Sequence, residues 1–122
     1  MNKGNYYKRK TKEFFENQGY VVDYIEKLQR IFSRGKIIYV KKDLFASDLI
    51  VMSKKELIFV QVKGGKEKTG ISVKNAIQEF NKYPFPPFVK RYIVIWRERQ
   101  REPEIIDLKE MTKWNILLLS LI

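Results

Sequence analysis

The chain of 122 residues carries 25 Lys+Arg against 14 Asp+Glu, a formal net charge of +11, and has neither cysteine nor histidine. That length suits one domain over residues 1–122, and 44% hydrophobic content excludes a disordered tail. The missing residues exclude disulfides, thiol catalysis, iron–sulfur clusters, zinc ribbons and histidine acid–base chemistry.

In chain order, Asn5–Gln18 reads as a helix, with Tyr7, Thr11, Phe14, Phe15 and Gln18 on one face. Arg9 with Glu13 and Lys12 with Glu16 are i,i+4 pairs, and Gly19 supplies the stop. Tyr20–Ile25 and Lys36–Val40 read as strands. Between them, Leu28, Ile31 and Phe32 are expected to form a helical turn.

Asp48–Met52 and Leu57–Lys63 flank the polar Ser53–Glu56 and predict a hairpin. Either a tight turn at Lys54–Lys55 or a four-residue loop places Met52 opposite Leu57 and Asp48 opposite Gln61. Period-two alternation then gives Asp48, Gln61 and Lys63 one face, and Leu49, Val51, Ile58, Val60 and Val62 the other.

Gly64–Gly70 reads as a mobile basic loop, and Ser72 as the cap of a helix to about Tyr83. Val73, Ala76, Ile77 and Phe80 form that helix's buried stripe, and the prolines of Pro84–Phe88 end it. Arg91–Arg97 is expected as an interior strand and Glu104–Ile106 as an edge strand. Asp107 and Glu110 resemble a capping box, and the apolar tail Trp114–Ile122 is expected to pack on the core, with a dimer seam as the alternative.

The positive charge clusters at Lys8–Lys12, Lys41–Lys42, Lys63–Lys68 and Lys90–Arg101, the footprint of a nucleic-acid partner rather than of a merely soluble surface. No apolar run reaches the length of a membrane span, and the opening residues lack a signal-peptide hydrophobic stretch. A cytoplasmic protein with no membrane partner is the simplest expectation.

Taken singly, Asp48, Gln61 and Lys63 are ordinary strand-end polar residues. Together they offer a carboxylate, a neutral oxygen and an ammonium, a set suited to phosphodiester hydrolysis with a hard divalent cation. Asp48, twelve intervening residues and Gln61-Val62-Lys63 resemble the PD-(D/E)XK nuclease superfamily, whose signature is Asp followed by Glu-x-Lys on paired strands. KDLFASDLIVM and LIFVQVKGG look most like the Mrr-type and archaeal Holliday-junction-resolvase branches, and Mrr-type members similarly carry glutamine in the acidic position.

The resemblance implies a restriction-endonuclease-like α/β fold, with an αβββαβ core and a mixed central sheet flanked by helices. It implies Mg²⁺ or Mn²⁺ held by Asp48 and Gln61, with Asp43 as a further carboxylate, and Lys63 as the catalytic cation. Lys8, Lys66 and Lys68 are the expected contacts to nucleic acid, DNA being favoured, and a homodimer suits the cutting of two strands. Two departures stand out. Gln61 replaces an acid, and Lys8 occupies the position of a metal-supporting helix glutamate; Glu13 lies about 140° further round that helix. The alternative is a catalytically silent nuclease fold that only binds DNA or branched nucleic acid.

Overall fold

The computed structural model describes residues 3–65, 70–98 and 101–109. Helix α1 (Lys3–Glu16) is followed by strands β1 (Val21–Tyr24), β2 (Glu26–Ser33), β3 (Lys36–Asp43), β4 (Leu49–Met52) and β5 (Leu57–Gly65). Helix α2 (Gly70–Asn81), β6 (Lys90–Arg97) and β7 (Glu104–Asp107) complete it. The main sheet has the order β1-β4-β5-β6-β7, antiparallel except for the parallel pair β5–β6, while β2 and β3 form a separate two-stranded ribbon. The expected αβββαβ order is therefore present as α1, β1, β4, β5, α2 and β6, with the ribbon inserted after β1 and an edge strand added. Parallel pairing demands a crossover, and α2 supplies it.

Each face of the sheet has its own core. On the α1 side, Phe15 packs with Val22, Leu49, Val51, Ile58, Val60, Val94 and Trp96; on the α2 side, Val73, Ala76, Ile77 and Phe80 pack with Ile93, Ile95 and Leu108. The alternation in β6 (Val94 and Trp96 one way, Ile93 and Ile95 the other) follows from the period of two in a strand covered on both sides. Thr11, fully buried, accepts a 2.7 Å hydrogen bond from Trp96 Nε1 and donates to the Tyr7 carbonyl at 2.7 Å, fixing α1 on the sheet.

Helix α1 ends as its sequence predicts, in a Schellman arrangement. Gly19 adopts φ +96°, with Gly19 N–H on the Glu16 carbonyl and Tyr20 N–H on that of Phe15. Gln18 lies beyond the helix and is exposed, so it drops out of the expected apolar face. The helical turn expected around Leu28, Ile31 and Phe32 is instead strand β2. Its partner β3 returns through Arg34 and Gly35, both at positive φ, a two-residue hairpin turn that matches the right-handed strand twist.

The β4–β5 hairpin has the expected register from Met52↔Leu57 to Leu49↔Val60. Ser53 closes the turn that Lys54 and Lys55 would form poorly, its hydroxyl accepting from the amides of Lys55 and Glu56. Further along the chain, β5 continues through Gly64 and Gly65, and α2 already begins at Gly70, so both replace parts of the expected loop. Ser72 lies inside the first turn of α2 and is not its cap. Asp107 caps locally, accepting from Lys109 N–H at 2.9 Å; Glu110 and the tail Trp114–Ile122 lie outside the described residues.

Candidate active site

At the start of β4 the ladder with β5 stops, while β5 runs on. Asp48 donates its backbone N–H to the Val60 carbonyl at 2.8 Å, rather than continuing the expected pairing with Gln61. The cause lies one step upstream. Leu44 and Ser47 close a tight turn whose central residues, Phe45 and Ala46, both have positive φ, at 53° and 57°. Left-handed backbone costs a non-glycine residue roughly 1–2 kcal/mol. Phe45 offsets this by packing its ring edge-on against Phe59 and Tyr83, and the buried Ser47 hydroxyl donates to the Phe45 carbonyl. The turn delivers Asp48 beside the amide that the shortened β4 leaves without a strand partner. Its Oδ2 accepts from Val62 N–H at 2.7 Å.

Asp48 is only 4% exposed, and its Oδ1 lies 3.3 Å from Lys8 Nζ of α1. A charge-assisted hydrogen bond and an ion pair thus hold Asp48 in one orientation. Tyr7, Lys8, Asp43, Asp48, Gln61, Val62, Lys63 and Gly64 line one cleft of about 210 Å³. In the β5–β6 pairing, Gln61 stands beside Ile93 and Lys63 beside Ile95, which puts both on the α2 side of the sheet, with Val62 opposite. Lys8 approaches from α1, so the cleft sits at the end of the hairpin, where the two faces meet.

Gln61 is the telling residue. Its side chain is buried, and among the described residues Oε1 finds no hydrogen-bond partner. An unsatisfied buried acceptor costs about 1–3 kcal/mol, which a cation or water in the cleft would relieve. Two carboxylates, Asp43 and Asp48, line the same space, so hard oxygen donors fit a divalent ion. Among the described residues no three His, Cys, Asp or Glu side chains gather at one point, so an ion here would rest on a mixed carboxylate–amide set.

Of the residues singled out in the sequence, Lys8, Asp43, Asp48, Gln61 and Lys63 meet in this cleft. Lys66 and Lys68 lie outside the described residues. Sequence reasoning missed Tyr7 and Gly64. A Cβ at Gly64 would fall among the ring atoms of Tyr7, so only glycine lets α1 sit this close to β5. The doubled glycine after Lys63 was the available signal.

No family model matches the sequence, and no curated protein does. The crystal structure of SSO0001 is similar in fold, with TM-score 0.50 and 17% identity over 96% of this chain and 56% of that one. The chain thus spans a little over half the length of that protein. Hjc, a Holliday junction resolvase from the archaeal hyperthermophile Archaeoglobus fulgidus, gives TM-score 0.43 and 13% identity over 86% of this chain and 88% of its own. At these identities the likeness to SSO0001 is one of fold.

Proposed function

We propose that the chain is a restriction-endonuclease-like nuclease domain, a Mg²⁺- or Mn²⁺-dependent phosphodiesterase of endonuclease or junction-resolvase type that acts on DNA. The observation that carries this reading is the buried Gln61 Oε1, without a hydrogen-bond partner among the described residues, in the cleft that also holds Asp48 and Lys63. Asp48 and Gln61 would hold the ion, with Asp43 as a further carboxylate. The ion, when bound, supplies Lewis-acid polarisation of a phosphoryl oxygen and a more acidic water. Lys63 places a positive charge where charge builds up on phosphate. Lys8, Lys66 and Lys68 neutralise the backbone. Cutting two strands favours a homodimer.

One contact favours the silent alternative. Lys8 Nζ already provides Asp48 with a cation at 3.3 Å, and a metal must compete with it. Nicking and cleavage of linear, single-stranded and four-way-junction DNA with Mn²⁺ separate the two. Mn²⁺ tolerates neutral ligands better than Mg²⁺, so it should support the greater activity. Asp48→Ala should abolish cleavage while binding remains, and Gln61→Glu should tighten metal binding. If wild type and Gln61→Glu are both inert while binding stays tight, the domain is a silent binder.

A further inference from the structure

The β2–β3 ribbon leaves the body of the protein beside the cleft. Its root is fastened there: Ile25 N–H donates to the Asp48 carbonyl at 3.1 Å and Leu44 N–H to that of Ile25 at 3.4 Å, while Asp43 lines the cleft itself. Beyond the root, all ten residues from Arg30 to Tyr39 are exposed, including Phe32 at 75% and Tyr39 at 60%. A two-stranded hairpin is marginal in water by itself, and a large exposed apolar set marks a surface meant to be covered.

Charge identifies what covers it. Residues 27–42 contain six Lys or Arg and no acidic residue, so a second copy of the ribbon would bring like charge against like charge. A polyanion is the complementary partner. The pairing places Arg30 beside Tyr39 and Phe32 beside Ile37 on one face, interleaving a cation with rings, while Arg34 and Lys36 sit at the tip. Strands of eight residues span roughly 25 Å, and a two-stranded ribbon fits a major groove about 12 Å wide.

We infer that the ribbon is a duplex-binding arm that lies in a groove of double-stranded nucleic acid, with Arg30, Arg34 and Lys36 on phosphates and Phe32 against the bases. This rests on the reading of the cleft as a phosphodiesterase site, whose substrate the arm would present to Asp48. It adds the substrate class: duplex arms rather than single strands.

The test is anisotropy titration of a short duplex and of its single strand over a range of salt, without divalent metal, in an Asp48→Ala background. Replacing Arg30, Arg34 and Lys36 with glutamine should lower the salt slope by up to about 2.7. A control triple, Lys54, Lys55 and Lys74 to glutamine, removes the same charge from exposed positions elsewhere and should leave the slope nearly unchanged. Phe32→Ala should weaken duplex binding about tenfold at constant slope, and Phe32→Trp should restore it. Equal effects of the two triples would reduce the ribbon to bulk charge and overturn the proposal. So would unchanged duplex affinity together with a sedimentation shift from dimer to monomer, which would show a second copy as the ribbon's partner. A wild type that binds through the ribbon but never cleaves would fail the phosphodiesterase reading alone.

Discussion

The main sheet and the ribbon are written in the same residue types and end in opposite environments. Leu49, Val51, Ile58, Val60, Ile93 and Ile95 are fully buried between α1 and α2, whereas Ile31, Phe32, Ile37, Ile38 and Tyr39 are exposed. Both regions pair along their strands. The difference is coverage: helices lie on each face of the sheet, while exposed side chains line the outer half of the ribbon. Strand formation therefore says little about where stability resides. The sheet gains from removing apolar surface from water, whereas the ribbon leaves that surface, with its charge, exposed.

The largest expected contrast is between two similar truncations. Ile58→Ala in the sheet should cost about 2–5 kcal/mol by urea unfolding, and Ile38→Ala in the ribbon no more than about 0.5 kcal/mol. Comparable losses at both positions would mean that the ribbon belongs to the folding core. The next tests the seam between helix and sheet. Gly64→Ala forces its new methyl into the Tyr7 ring, so α1 must shift, at a cost of about 1–3 kcal/mol. The Lys8–Asp48 contact should loosen with it, visible as altered metal or DNA affinity, while the ribbon's amide exchange stays as in the wild type.

The smallest concerns how the sheet's other end is fastened. Tyr20 Oη donates to Glu56 Oε2 at 2.6 Å, and Lys90 Nζ pairs with Glu56 Oε1, joining the residues just before β1 and β5 to the first residue of β6. Hydrogen bonds from Lys90 and Tyr20 hold Glu56 below the ordinary glutamate range. The same hydrogen bonds to Glu56 raise Tyr20 and Lys90. The depressed carboxyl contributes stability above its ordinary pKa and loses it as pH falls through the folded value. The raised groups contribute below their ordinary pKa and lose it as pH rises through theirs. Urea midpoints should thus be flat from about pH 5 to 9 and fall on both sides. Glu56→Gln should cost about 1 kcal/mol on the plateau and blunt both limbs; an unchanged profile would remove this cluster as a clamp on the sheet.

Local rules made much of the sheet legible. Alternation in Leu49–Met52 and Leu57–Lys63, the stripe Val73, Ala76, Ile77 and Phe80, and the stop at Gly19 each reflect nearest-neighbour physics that survives in the fold. The shared face of Gln61 and Lys63 could be read because strand alternation and the hairpin's own turn set it, whereas Asp48 reaches their cleft from outside the ladder. The ribbon's first strand was hidden because Leu28, Ile31 and Phe32 also fit a helical period, and only pairing with β3 decided between the two. The placement of Asp48 was beyond the sequence as well. Phe45 and Ala46 carry no turn signal, and their left-handed backbone exists because rings from β5 and the segment after α2 hold Phe45 in place. Composition, period and charge therefore determined most elements of the main sheet, the residue types that line the cleft and the chain's positive charge. The register break that aims Asp48 at Val62, the approach of Lys8 and the burial of Gln61 Oε1 were decided by contacts between segments distant in sequence, whose energies no local pattern contains.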